Sequence, residues 1–509
     1  MYSRSWPRLY AKGSVGRPAF ATAFGLWNDE QVAAAEQVEA GLGDLDLVRL
    51  VFCDPHGLAR AKTLPAETFR SVLRNGMDFS PGPFLFDTGH AVAVDFLSDP
   101  GVGVEELAGA GNFVLVPDPL TFQVLPGTEP RTAWVMGDEF LRDGTPHPLS
   151  SRHALRQVCA RYAKRELVPV VGLEVEWYLT RRLPGPVGNE GNGFGLQGPA
   201  PVVEAMNPGY QFNGFAAYDS VSEVANPLAM ALLGLGLPLR SMEHESGPGQ
   251  LETTFDPMFA LDAADAMVMF RTLTKQYCAR RGHHASFMSL PRIDGFDPSG
   301  WHLHQSVMDA STGRNLFAGD DPSGSISPRG KAYVDGLLAH ARDFCLLSVP
   351  TVNGYRRLGP GFSLSPTRIG SSVEDRSVMV RVVGSDSATH VENRVGEPSA
   401  NPYLAIGGQL FAGLEGLLGE DRAPRPVAPG DTPGAGTPTP TDTLPQSLRE
   451  ALEAFRGGAA KELLCRPLTS CLTKLKESEV SRFEAWCERE GPAEGEVTEW
   501  EHREYFGAF

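Results

Sequence analysis

The run Val168–Leu179, VPVVGLEVEWYL, restricts the possible folds of this chain more than any other segment. Its β-branched and aromatic content reads as a strand, and a strand this apolar must be covered by other elements. Two glutamates, Glu174 and Glu176, interrupt it. Residues two apart in a strand share a face and lie about 6.6 Å apart along it. Two carboxylates on one buried face repel unless a cation neutralises them. The spacing also suits two neighbouring ions. Taken alone, the pair is weak evidence, because the same spelling is common on solvated strand faces.

Around this strand the pattern alternates helices and strands. Helices are predicted from Trp27 to about Ala40, with Asn28 or Asp29 as cap, and over Ser151–Glu166, 222–236, 260–281, Lys331–Cys345, Leu448–Phe455 and Ser478–Glu490, the last with Ser478 as cap. Strands are predicted over Leu47–Cys53, followed by a turn at Asp54-Pro-His-Gly57, in broken runs across Leu107–Trp134, and around 239–246 and 250–256. The mixture predicts an α+β protein. Residues 1–28 read as a flexible extension. It is basic (Arg4, Arg8, Lys12, Arg17) and free of acids, so a transit peptide could also look like this. Residues 29–145 read as a smaller N-terminal domain and 146–509 as the larger domain, with a Pro/Thr/Gly-rich loop at 422–443.

Bulk properties exclude several classes. With 45 basic and 62 acidic residues the formal charge is -17, which argues against nucleic acid and against an anionic membrane surface as partner. No apolar run approaches the roughly 18 residues that span a bilayer. Seven scattered cysteines without a C-x-x-C fit a reducing, cytoplasmic setting rather than a disulfide framework.

Three further constellations carry chemistry. Glu243, Glu245 and Glu252 flank the tight Gly247-Pro-Gly-Gln250 segment, which could fold Glu245 and Glu252 towards one site or leave them solvated. In Trp301-His-Leu-His304 strand alternation turns both histidines to one side, as metal ligands or as hydrogen-bonded core residues. Glu392-Asn-Arg394, with Arg356, Arg357, Arg376 and Arg381 upstream, suits phosphate and carboxylate recognition. Gly193-x-Gly195-x-x-Gly198 spells a dinucleotide fingerprint, but Pro199 and Pro201 stand where its helix should begin.

Taken in order, these segments resemble the glutamine synthetase family over roughly residues 46–475. The resemblance is carried by Asp54-Pro-His-Gly57, Gly172-Leu-Glu-Val-Glu176, His244-Glu-Ser-Gly-Pro-Gly-Gln-Leu-Glu252, His302-Leu-His-Gln-Ser306, Asn353-Gly-Tyr-Arg-Arg357, Glu392-Asn-Arg394 and Asn401-Pro-Tyr-Leu404. It implies an N-terminal β-grasp domain and a catalytic domain with a curved antiparallel sheet and flanking helices. It also implies a ring homo-oligomer, commonly a dodecamer of two hexameric rings, with active sites shared between subunits. The implied reaction uses ATP and two or more Mg²⁺ or Mn²⁺ ions to join glutamate to ammonia or an amine through γ-glutamyl phosphate. Carried over, Glu176, Glu245 and Glu252 would hold one ion, and Glu174, His302 and Glu392 the other. Arg357 and Arg394, with Gly300 nearby, would grip glutamate. Arg376 and Arg381 would stabilise the transferred phosphoryl group, His304 would lie near the nucleotide, and Asp54 would reach the amine site of the adjacent subunit.

One departure bears on the substrate. Ammonia-using members place a glutamate that helps deprotonate ammonium after the Arg-Leu-x-Pro-Gly-Tyr segment. Here Ser363 stands in that region, and no acid follows before Glu374. An alkylammonium of pKa about 10.4 needs about 4.6 kcal/mol to lose its proton at pH 7, whereas an aromatic amine is already neutral. With Phe362 and Trp301 as apolar wall, the expectation is an aryl or bulky neutral amine, as in γ-glutamylanilide synthases. Asp54, Glu374 or Asp375 could instead supply the missing acid. Asp297-Pro-Ser-Gly300 replaces the usual Asn-Gly-Ser-Gly, which leaves room for a relative of glutamate as the acid. The alternatives are glutamine synthesis from ammonia, γ-glutamylation of an alkylamine or polyamine, and a non-catalytic scaffold.

Overall fold

The computed structural model describes residues 18–97, 99–185, 193–195, 197–319, 326–359, 364–419, 443–491 and 495–509. The chain divides into two compact units. One takes the described part of Met1–Val51 with Lys62–Phe79 and Phe113–Pro146; the other takes Phe52–Ala61, Ser80–Asn112 and His147–Phe509.

The first unit is built on a sheet of six strands: β1 (Leu47–Cys53), β2 (Ala59–Pro65), β3 (Met77–Phe79), β4 (Phe113–Pro117), β5 (Gln123–Val124) and β6 (Thr132–Phe140). The order is β2-β1-β6-β4-β3, with β5 beside β6. The central pair β1 and β6 is parallel, Leu47 opposite Thr132, and the other described pairings are antiparallel. Helix Ala66–Asn75 buries Phe69, Val72 and Leu73, the i, i+3, i+4 stripe of an amphipathic helix. This is the β-grasp arrangement. The expected flexible stretch before residue 29 is folded from Phe20. Helix Phe20–Ala23 sets Ala21 against Val114, Val116 and Phe140, with Leu26 and Trp27 packed beside it. Asn28 caps the next helix, Asp29–Gly41, in a reciprocal pair with Gln31.

The second unit centres on a ten-stranded sheet whose backbone is β7 (Leu167–Arg182). Its other strands are β8 (Val203–Ala205), β9 (Leu239–His244), β10 (Gln250–Phe255), β11 (Met258–Phe259), β12 (His283–Ser286), β13 (Trp301–Asp309), β14 (Ser371–Val373), β15 (Val380–Val383) and β16 (His390–Asn393). The main path runs β14-β15-β16-β13-β7-β10-β9, while β8, β11 and β12 also pair with β7. Every described pairing is antiparallel except β14 with β15, so the sheet is mixed at that edge. Alternation along β7 sends Leu173, Val175 and Trp177 to one side, where Trp177 packs with Phe270 of helix Ala260–Ala279 and with Phe287. The opposite face carries Gly172, Glu174 and Glu176.

Some helix limits differ from the pattern-based ones. Ser478 is not a cap. Helix Arg466–Glu490 starts twelve residues earlier, with Pro467 in its first turn, because Leu468, Cys471, Leu472 and Leu475 extend the buried stripe backwards. The Ser478 hydroxyl donates instead to Asp87 Oδ2 at 2.6 Å. Helix Pro328–Ala339 begins three residues before Lys331, where Ser327 caps it, and stops short of Cys345. Helix Phe215–Gly234 begins seven residues before 222 and runs through Pro227. After Gly198 the chain enters β8 with no intervening helix, so the dinucleotide spelling has no phosphate-binding helix behind it. No described helix is long and apolar enough to cross a membrane. The loop 422–442 lies outside the described residues.

Candidate active site

Sheet register assembles the site. In β13 against β7, His302 stands opposite Glu174 and His304 opposite Gly172. In β16 against β13, Glu392 stands opposite His304, and in β15 against β16 Arg381 stands opposite Glu392. On the other flank Glu252 of β10 faces Glu176, and Glu243 of β9 faces Glu252. Side chains scattered over about two hundred residues of sequence thus form one row on one face of the sheet. The turn between β9 and β10 needs its glycine. Gly249 has φ +79°, and a Cβ there would lie 2.5 Å from the carbonyl oxygen of Leu179. That turn brings Glu245 alongside Glu252 at a cavity of about 1320 Å³.

The cavity is lined by Glu174, Glu176, Glu245, Glu252, His302 and His304 together with Arg357, Arg376, Arg381 and Arg394. Two tight groups of ligand atoms occur, Glu174 with Glu252 and His302, and Glu174 with His304 and Glu392. In each group the atoms lie within 4.8 Å of one another. His302 Nδ1 is 2.6 Å from Glu174 Oε1 and 3.5 Å from Glu392 Oε1. The expected set Glu174, His302 and Glu392 is therefore close around one nitrogen. The other expected set is looser. Glu176 and Glu245 line the cavity but belong to neither tight group, and Glu176 Oε2 accepts the Gly300 amide at 2.6 Å.

The electrostatics differ across the row. Burial raises the Glu245 carboxyl, reinforced by repulsion from Glu176, to about 8. Burial and repulsion from Glu174 and Glu176 push Glu252 up as well. Burial also opposes ionisation of Glu174, but the charge and hydrogen bonds of His302 and His304 outweigh it and hold this carboxyl well below its usual range. Glu392 is likewise lowered, its burial overcome by His302 and Arg394. Oxygen and imidazole donors of this kind suit Mg²⁺ or Mn²⁺. Carboxyls that hold protons because they are buried and crowded together are groups a cation would ionise, so the donor set fits divalent ions.

The arginines are placed unequally. Arg394 donates to Glu392 Oε1 at 2.5 Å and Arg381 to Glu392 Oε2 at 3.1 Å, and the buried Nε of each has no partner among the described residues. Arg376 is exposed and makes no ion pair among the described residues. Arg357, 4% exposed, donates to the carbonyls of Arg394 at 2.9 Å and Val395 at 3.1 Å and lies 3.3 Å from His302 Nε2. Gly300 lets it in, since a Cβ there would come 2.5 Å from the Arg357 guanidinium.

One expected wall residue lies elsewhere. Trp301 is 2% exposed and does not line the cavity. The alternation that turns His302 and His304 inward turns Trp301 into the core. Asp54 is fully buried, and its carboxylate is consumed by its own turn, accepting from the amides of His56 and Leu58 (both 2.9 Å) and from Arg60 Nε (2.8 Å). Phe362 and Ser363 lie outside the described residues. The cavity also holds two carboxylates absent from the expected ligand set, Glu243 and Asp297. Glu243, already singled out beside Glu245 in the sequence, is carried to the cavity by β9. His390 also enters the site, its Nε2 3.0 Å from His304 Nδ1.

Comparisons with known proteins agree with this picture. A family model described as "Glutamine synthetase, catalytic domain" matches residues 148–505. A gamma-glutamylanilide synthase of Acinetobacter sp is 37% identical over 501 residues, covering 96% of this chain and 98% of that protein. A glutamine synthetase of Methanosarcina mazei is 29% identical over 456 residues, covering 87% and 92%. Among solved structures, one titled "GmaS/ADP complex-Conformation 1" superposes with TM-score 0.67 at 27% identity, covering 92% of this chain and 98% of that one. Fold and site together define an ATP-dependent ligase that joins glutamate to an amine or ammonia. The chain belongs to the glutamine synthetase family.

Proposed function

We propose that this protein forms a γ-glutamyl amide from glutamate and a neutral, aromatic amine such as aniline. The chain would work as a cytoplasmic ring homo-oligomer. In this reading the γ-carboxylate of glutamate takes the terminal phosphoryl group of ATP, and the amine then displaces phosphate. Glu176, Glu245 and Glu252 would hold one divalent ion and Glu174, His302 and Glu392 a second. When bound, such ions neutralise phosphate charge and act as Lewis acids. The chain's own residues do the rest. Arg357 and Arg394 orient the carboxylates of glutamate. Arg376 and Arg381 face the charge that spreads over the phosphoryl oxygens, as positioning and electrostatics require.

The observation that carries the choice of amine is the fate of the three acids that could replace the missing base. Asp54 is locked in its turn, Glu374 is paired with Arg381, and Asp375 accepts the Ser377 amide at 2.8 Å and its hydroxyl at 2.7 Å. Glu374 and Asp375 do not line the cavity of their own chain, and Asp54, expected at the neighbouring subunit's site, already accepts three hydrogen bonds. Leu364 does line it, next to Arg394, and adds apolar surface. The relative in Acinetobacter sp supports the same direction by its name. The test is phosphate release across an amine panel, with mass detection of the product. Aniline and its neutral congeners should turn over faster than ammonia or polyamines at pH 7. Product from ammonia alone would refute the choice of amine.

A further inference from the structure

Two adjacent arginines, Arg356 and Arg357, stand beside a cavity rich in carboxylates, yet only Arg357 lines it. We propose that Glu501, in the C-terminal helix Glu499–Tyr505, is a positioning residue that captures Arg356 and thereby sets Arg357 in the cavity. The role presupposes the ligase reading above and adds a residue to it.

The geometry is that of a built clamp. Glu501 is fully buried, and its carboxylate takes a forked pair of hydrogen bonds from Arg356, Nε and one terminal nitrogen each at 3.0 Å. It also accepts from Asn353 Nδ2 at 3.3 Å and from the amide and hydroxyl of Thr498, both at 2.8 Å. Asn353 is itself fixed on the backbone of Leu290, accepting its amide at 2.8 Å and donating to its carbonyl at 3.0 Å. One turn along the same helix, the Tyr505 hydroxyl accepts the Val352 amide at 3.3 Å and donates to Glu479 Oε1 at 2.5 Å. From the other side Glu397 accepts the amide and hydroxyl of Thr351, both at 2.9 Å. Residues 351–353 and 356 are thus tied side by side, and the helix Gly354–Arg357 is held as a rigid turn.

Rigidity alone would not require a charge, because a buried ion pair adds little stability over an apolar pair of the same shape. What it adds here is a choice of direction. Neighbouring side chains on a helical turn point about 100° apart. With Arg356 engaged by Glu501, Arg357 is the one that reaches Gly300 and His302. Without Glu501, the half-buried Arg356 would lose the forked carboxylate that fixes its direction, and the turn that carries Arg357 would lose that anchor.

The experiment uses the full chain and the variants Glu501→Gln, Arg356→Lys and, as control on the exposed side of the same helix, Glu499→Gln. Hydrogen exchange of the segment 351–359 and the separate KM values for glutamate and amine are the readouts. In E501Q, exchange of that segment should quicken about tenfold while β7 and β13 keep their protection. KM for glutamate should rise about tenfold or more, with amine KM unchanged. R356K should shift both readouts in the same direction, and E499Q neither. Wild-type exchange and glutamate KM in a folded E501Q would overturn the proposal. If E501Q unfolds as a whole, R356K decides alone, and wild-type values there would overturn it. A wild-type protein that turns over no amine would end the ligase reading, while the exchange measurements would still decide whether Glu501 holds the turn.

Discussion

Loading the site with a divalent cation should release about two protons per chain near pH 7. The perturbation is addition of Mn²⁺ to metal-free protein. Glu245, with its carboxyl at about 8, and Glu252, raised by burial and by Glu174 and Glu176, both hold protons at neutral pH without a cation. Each displaced proton makes apparent affinity change tenfold per pH unit, so two make it about a hundredfold, or about 2.7 kcal/mol, between pH 6 and 7. Stability carries the matching sign. In the unfolded chain these carboxyls ionise near their ordinary value of 4.5, whereas in the fold they stay protonated. The metal-free protein should therefore lose stability as pH rises from about 4.5 towards 8, and Mn²⁺, by ionising both carboxyls in the folded state, should flatten that slope. Calorimetric titration in buffers of different ionisation enthalpy counts the protons, and melting curves with chelator or Mn²⁺ at pH 6 and 8 give the slope. Binding that releases no protons and is equally tight at both pH values would refute the crowded-carboxylate account.

Three substitutions test the geometry. Glu392→Gln removes the carboxylate that Arg381 and Arg394 share, which should cost about 3–5 kcal/mol in denaturant unfolding and lower the Mn²⁺ stoichiometry. Trp301→Phe should leave the order of preference across the amine panel unchanged, because the ring faces the core, whereas Trp301→Ala should destabilise by about 3–5 kcal/mol. Gly300→Ala puts a methyl group 2.5 Å from the Arg357 guanidinium and should lower kcat/KM for glutamate about tenfold to a hundredfold, read from steady-state kinetics.

How much was legible in advance divides along a physical line. Strand alternation is local, set by the pleat at period two. Glu174 with Glu176, and His302 with His304, could therefore be assigned to shared faces from the sequence alone. The same rule placed Trp301 on the opposite face; its use as a pocket wall overlooked that consequence. Residue types limited the chemistry to oxygen and imidazole donors beside guanidinium groups, and the order of motifs pointed to the family. Which strand lies beside which is set by hydrogen bonding between distant segments, so only the fold could put His302 opposite Glu174 and Arg381 opposite Glu392. The same holds for charges. Asp54 spends its carboxylate inside its own turn, Glu374 pairs with Arg381, and Glu501 meets Arg356 across 145 residues. Pattern can say that a carboxylate is present; its partner depends on which side chains the packed chain brings within about 3 Å.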